Sequence, residues 1–137
     1  MAFMTTRGVY GLIAIYELSK QNSNEPMQIK TISQKTSIPC NYLEQLLSIL
    51  RKAGFVESLR GAKGGYLLSK KSEDINIYDI LTALEGKLSF AEYSLDNKVF
   101  KMFFNDMDKK IEKFLNINLS ELRKYEDILN DGFIYMI

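Results

Sequence analysis

One stretch constrains this chain more than any other: "IPCNYLEQLLSILRKAGF", residues 38–55. Leu43, Leu46, Leu47 and Leu50 fall at i, i+3, i+4 and i+7, a single apolar stripe along a helix. Pro39 suits the helix start and Gly54 the stop. The opposite face carries Asn41, Tyr42, Glu44, Gln45, Ser48 and Lys52. Such a helix lies on a core along one side and offers a polar face to the outside.

Its neighbours narrow the choice. Before it, "QIKTISQKTS" reads as a short helix with Ile29 and Ile32 turned inward. A short helix, a tight turn and a longer helix with a polar face make a helix-turn-helix. After it, "FVESL" and "YLLSK" are short, strand-like runs flanking "RGAKGG", the pattern of a hairpin with a glycine-rich tip. That hairpin is a wing. Bases at a wing tip reach phosphates or the minor groove, and glycines let the backbone turn with positive φ close to a sugar-phosphate chain.

The remaining segments complete a mainly α fold with a small β wing. A first helix, capped by Thr5 or Thr6, runs to about Lys20 with Val9, Leu12, Ile13, Tyr16 and Leu18 as its apolar members. "INIYDILTALEG" predicts another, with Ile77, Ile80, Leu81 and Leu84 inward and Gly86 at its end. Asp96 is the expected cap of a long helix reaching about Leu115. Along it Phe100, Phe104, Met107, Ile111 and Phe114 step by 4, 3, 4 and 3, a coiled-coil-like seam that points to a dimer interface. A last short helix is expected in "NLSELRKYEDI". The expected organisation is a winged helix-turn-helix over residues 1–87, then a dimerisation helix and tail over 88–137.

Charge and composition favour a polyanion partner and exclude most enzymes. Residues 28–71 carry Lys30, Lys35, Arg51, Lys52, Arg60, Lys63, Lys70 and Lys71 against only Glu44 and Glu57, whereas residues 88–137 are mildly acidic. The chain has no histidine, so histidine metal sites and histidine-based triads are unavailable. "GAKGG" departs from the phosphate-loop spacing and lies between two strand-like runs. The carboxylates of Asp106 and Asp108 sit on a charged helical face, where solvation accounts for them. No enzyme and no cofactor are expected. There is no apolar run long enough to span a membrane and no charged leader at the N-terminus, so the expected location is cytoplasmic.

"NYLEQLLSILRKAGFVESLRGAKGGYLLSK", followed by "INIYDILTALEG" and preceded by "TTRGVYGLIAIYEL", resembles the signature of the IscR/NsrR/CymR family, the Rrf-two winged-helix transcription regulators. The resemblance covers the whole chain. It implies a homodimer joined by the long helix, binding a palindromic operator in double-stranded DNA and usually repressing. By motif match it places Asn41, Tyr42, Glu44 and Gln45 on the recognition helix and Arg60, Gly61 and Lys63 on the wing. Gln pairs with adenine and Glu accepts from cytosine, or Glu44 only orients a neighbour such as Tyr42. Many relatives hold an iron–sulfur cluster through three cysteines after the "ALEG"-type motif. The corresponding "KLSFAEYSLDNKVFKMFF" contains none, a departure that excludes a cluster of that type. Within the family, "LEGKLSFAEY" and "FIYMI" are most like the clusterless repressor of cysteine metabolism, which implies control of sulfur-assimilation genes and cysteine synthase as a partner.

Two single residues invite sharper expectations. Cys40, the only cysteine, lies in the first turn of the recognition helix, where the helix dipole favours a thiolate, so a redox switch at the DNA face is one alternative. Another is an adaptor that uses its winged helix for protein contacts. Ile137 ends the apolar "DGFIYMI". The simplest expectation is that this tail folds back on the dimer; the sharper one, implied by the resemblance, is that Ile137 docks in cysteine synthase as the C-terminal isoleucine of serine acetyltransferase does.

Overall fold

A computed structural model of the chain describes residues 2–21, 25–90 and 96–132. Among them, α1 (Thr6–Ser19), α2 (Ile29–Thr36) and α3 (Cys40–Lys52) lead into an antiparallel hairpin of β1 (Val56–Leu59) and β2 (Gly65–Leu68). α4 (Ile77–Glu85), α5 (Lys98–Leu115) and α6 (Arg123–Asn130) follow, with 3-10 turns at Ser72–Asp74 and Leu119–Leu122. This is the mainly α architecture with a small wing that the periodicities predict.

The core is organised by α3. Leu43, Leu46, Leu47 and Leu50 are all 0% exposed and pack among Ile15, Ile32, Ile75, Ile80 and Leu84. The turn between α2 and α3 is tight because Ser37 takes a left-handed conformation (φ 64°), donating its N–H to the Ser33 carbonyl at 2.8 Å. Ser33 Oγ donates to the Ile38 carbonyl at 2.6 Å, and Thr36 Oγ1 accepts from the Ile38 N–H at 3.3 Å. These side-chain bonds fix the angle at which α3 leaves α2.

Of the apolar members of α1, Leu18 is buried and Leu12 and Tyr16 pack against the core. The buried residues of the helix are Gly8, Gly11, Ala14, Ile15 and Leu18, while the other two expected members, Val9 and Ile13, are 38% and 40% exposed. The helix turns its glycine face, not its branched face, toward α4. A Cβ on Gly11 would overlap the Leu84 methyl groups, so the missing side chain is what lets the two helices approach. α4 conforms to expectation. Ile77, Ile80, Leu81 and Leu84 are buried, Asn76 accepts from the Asp79 N–H as its cap, and Gly86 ends it at φ 90°.

The cap of α5 is Asn97, not Asp96. Its side chain accepts from the N–H groups of Val99 (3.1 Å) and Phe100 (3.2 Å). After α5 the chain returns to the winged unit. Ile77 N–H donates to the Ile117 carbonyl and Leu119 N–H to the Ile75 carbonyl, both at 2.8 Å. Leu119 is 0% exposed. α6 then lies on α1, with Glu126 accepting from the Tyr16 hydroxyl at 2.6 Å and from Lys20 Nζ at 3.1 Å.

Candidate nucleic-acid interface

The wing is built by its glycines. β1 and β2 pair from Val56↔Leu68 to Leu59↔Gly65, so residues 60–64 form the tip. Gly61 has φ 107°, and its carbonyl accepts from the Gly64 N–H at 2.9 Å. Gly64 is buried under the turn, where a Cβ would overlap the Leu59 carbonyl oxygen. Gly65 (φ 147°) passes so close to Met27 that a Cβ would overlap its carbonyl. That approach permits a two-way bridge, Met27 N–H to the Tyr66 carbonyl and Tyr66 N–H to the Met27 carbonyl, both 2.8 Å. Gln28 Nε2 donates to the Ala62 carbonyl at 3.1 Å, tying the tip to the start of α2. Arg60, Gly61 and Lys63 are exposed on this braced loop.

On α3, Asn41, Glu44 and Gln45 are exposed opposite the leucine stripe. Tyr42 is different. It is half-buried, its ring meets Tyr10 edge-on at 5.9 Å, and its hydroxyl lies 3.3 Å from Thr6 Oγ1. The partner recorded for that hydroxyl is Thr6, not Glu44. The ion pairs among the described residues are Lys20 with Glu17, Lys20 with Glu126, and Lys110 with Asp106. None involves the eight bases of residues 28–71, so their charge is not neutralised by ion pairing within the described part of the chain.

The seam residues of α5 divide. Phe104, Met107 and Ile111 are half-buried, whereas Phe100 and Phe114 are 50% and 78% exposed. Ile111 and Phe114 line an apolar cavity of about 310 Å³ together with Phe3, Leu12, Ile77 and Leu81, so the C-terminal half of the helix also faces its own chain. The N-terminal half exposes Val99, Met102 and Phe103 as well, which the heptad spacing does not single out. No residue of α5 is buried.

Cys40 is a half-buried free thiol in the first turn of α3. Ile137 lies outside the described residues. Among the described residues no helix is long and apolar enough to cross a membrane.

Comparison with known proteins adds a family. Residues 4–125 match the model of Rrf2, described as an iron-dependent transcriptional regulator. The chain is 35% identical over 136 residues to the HTH-type transcriptional regulator CymR of Bacillus subtilis (strain 168), covering 98% of this chain and 99% of that protein. It is 33% identical to the HTH-type transcriptional regulator IscR of Yersinia enterocolitica, over 92% of this chain and 82% of that one. The solved structure of CymR (YrzC), the global cysteine regulator of B. subtilis, superposes with a TM-score of 0.79 at 36% identity, covering 91% of this chain and 98% of that chain. The iron of the family description does not suit the donors here. The one thiol sits on α3, the chain has no histidine, and no thiol follows α4.

Proposed function

Because the chain belongs to the Rrf2 family of transcription regulators, and is not an enzyme, we propose that it binds a specific palindromic operator as a homodimer and represses transcription without an iron–sulfur cluster. The observation that carries this reading is the wing. Three glycines place Arg60 and Lys63 on an exposed tip braced by Met27 and Gln28, and no ion pair within the described chain takes up their charge. Asn41, Glu44 and Gln45 supply donors and acceptors of the kind that read base edges. The exposed apolar side chains of α5, Val99, Phe100, Met102 and Phe103, support the dimer. A regulator of this kind works on cytoplasmic DNA.

The test is operator binding measured against salt. Each phosphate neutralised contributes a slope of about −0.9 in log affinity against log salt, so a steep slope together with preference for one sequence is expected. Weak binding without sequence preference overturns the reading in favour of an adaptor.

The regulated genes are those of cysteine metabolism, a reading supported by the likeness to CymR over almost the whole of both chains. Sulfur-assimilation transcripts should rise when the gene is deleted. Cysteine synthase is the partner this reading carries with it. Calorimetry should detect a complex that is lost when residues 133–137 are removed, and unchanged binding would discard that partner. A thiol switch at Cys40 is tested beside it, by mild peroxide on wild type and Cys40→Ser. Equal loss of operator binding in both discards the switch.

A further inference from the structure

We propose that Glu85 is a positioning residue, whose carboxylate holds the start of α1 and, through Thr6 and Tyr42, fixes the seat of the recognition helix relative to the point where the chain departs for α5. The proposal rests on the DNA-binding reading and adds to it a residue outside the recognition helix and the wing.

Glu85 is the last residue of α4. Gly86 follows at φ 90°, and from there the chain leads to the long helix. The Glu85 carboxylate accepts twice from Thr5, from the backbone N–H at 2.6 Å and from the hydroxyl at 2.7 Å. Thr5 is the cap position of α1 and makes no side-chain cap bond of its own. The first N–H groups of a helix lack partners within it, and a carboxylate there is favoured by the helix dipole and by charge-assisted bonds. Glu85 therefore does from α4 what the acidic residue of a capping box would otherwise do, accepting from the N–H of the cap residue itself.

Gly8 is the residue against which the carboxylate rests. It is buried in the first turns of α1, and a Cβ on it would overlap the Glu85 carboxylate. Glycine in a helix interior is destabilising relative to alanine. Its presence here leaves the room that the carboxylate occupies.

From Thr5 the run of contacts continues through its neighbour. Thr6 Oγ1 lies 3.3 Å from the Tyr42 hydroxyl, and the Tyr42 ring is braced edge-on by Tyr10 of the same helix. Tyr42 is in the first turn of α3, beside Asn41 and Glu44. Glu85, Thr5, Thr6 and Tyr42 thus join the departure point of the dimerisation arm to the end of α3 that carries the reading residues. Tyr42 serves this seat rather than a base.

Spatial continuity alone does not establish coupling, so the test is a double-mutant cycle in the full chain. Glu85→Gln and Tyr42→Phe should each weaken operator binding, by up to about tenfold, the upper range for one lost hydrogen bond, with the salt slope unchanged. The double variant should lose about as much as either alone, not the product of the two losses, because both changes break one run of contacts. Operators whose central spacer is altered by one base pair should be less strongly rejected by Glu85→Gln, a readout that simple loss of stability would not move. Glu85→Asp should restore part of the loss. If circular dichroism shows that Glu85→Gln has lost helix, Thr5→Val, which removes the hydroxyl that donates to Glu85, and Tyr42→Phe make the equivalent cycle. Additive losses, or undiminished operator affinity in Glu85→Gln, overturn the proposal while leaving DNA binding intact. A wild type indifferent to operator sequence would instead sink the DNA-binding reading and this proposal with it.

Discussion

Gly65 sits at φ 147° with the Met27 carbonyl where a side chain would be. Gly65→Ala is expected to cost about 1–3 kcal/mol, from backbone strain together with separation of the Met27–Tyr66 bridge. Thermal denaturation should show the loss as a lowered Tm, and wing-dependent DNA affinity should fall with it. At the tip, Arg60→Ala should cost about 1–3 kcal/mol and mainly for the operator, because a groove contact carries sequence information. Lys63→Ala should weaken binding to every DNA alike and flatten the salt slope by about one phosphate. Anisotropy on operator and scrambled duplexes separates the two. The wing glycines were legible because a cluster of Gly between two strand-like runs has few other uses. Gly8 and Gly11 were not, since a face defined by absent side chains leaves no apolar periodicity to count.

The contact between α6 and α1 belongs to the scale of elements, and its strength follows pH. Burial, and then the bond to Glu126, push the Tyr16 phenol up to about 12. The Tyr16 hydroxyl and the Lys20 ammonium hold the Glu126 carboxyl below its usual range. Burial alone would lower Lys20, but its bonds to Glu126 and Glu17 outweigh that and raise it. A lowered carboxylate contributes stability above its unfolded value of 4.5, lost as the pH falls through the folded one. Raised Tyr and Lys groups contribute below their unfolded values of 10.0 and 10.5, and lose it as the pH rises through the folded ones. Docking of α6 is therefore expected to hold at neutral pH and to loosen on acidification below 4.5. Hydrogen exchange of residues 123–130 should show this in wild type, and Glu126→Gln should weaken docking at neutral pH and remove the acid transition. The helices themselves were largely readable, α3 and α4 from their stripes, whereas the single short helix expected in "NLSELRKYEDI" is a 3-10 turn at Leu119–Leu122, opened by an Asn118 and Glu121 capping box, followed by α6. The cap of α5 was misplaced by one residue because Asp96 and Asn97 are equally competent acceptors. Only the direction of the chain decides which reaches the free N–H groups. The return over residues 116–119 was not foreseen, since it is held by backbone bonds and one leucine.

For the whole molecule the long helix is decisive. Its N-terminal half shows Val99, Phe100, Met102 and Phe103 to the outside, each at least 50% exposed. Phe104→Glu or Met107→Glu should give monomers by analytical ultracentrifugation, because pairing would bury an unpaired charge. Operator affinity should collapse with it, since two half-sites are read together. Met102→Glu should act in the same direction if the surface outside the heptad positions is also covered, and an unaffected dimer would confine the interface to the seam. The base of this arm is closed on itself. Asn76 Nδ2 donates to Asn116 Oδ1 at 2.6 Å across 40 positions of sequence, flanked by the backbone bonds joining residues 75–77 to 117–119. Between them α4 stays in the core and α5 ends beside the start of α4, so the length of α5 is free to vary while that closure stays put. Seven residues added to α5 would extend it by about 10 Å, close to three base pairs of duplex. In the proposed dimer a longer α5 is expected to change the separation of half-sites that binds best, which affinity for operators of altered spacer length checks.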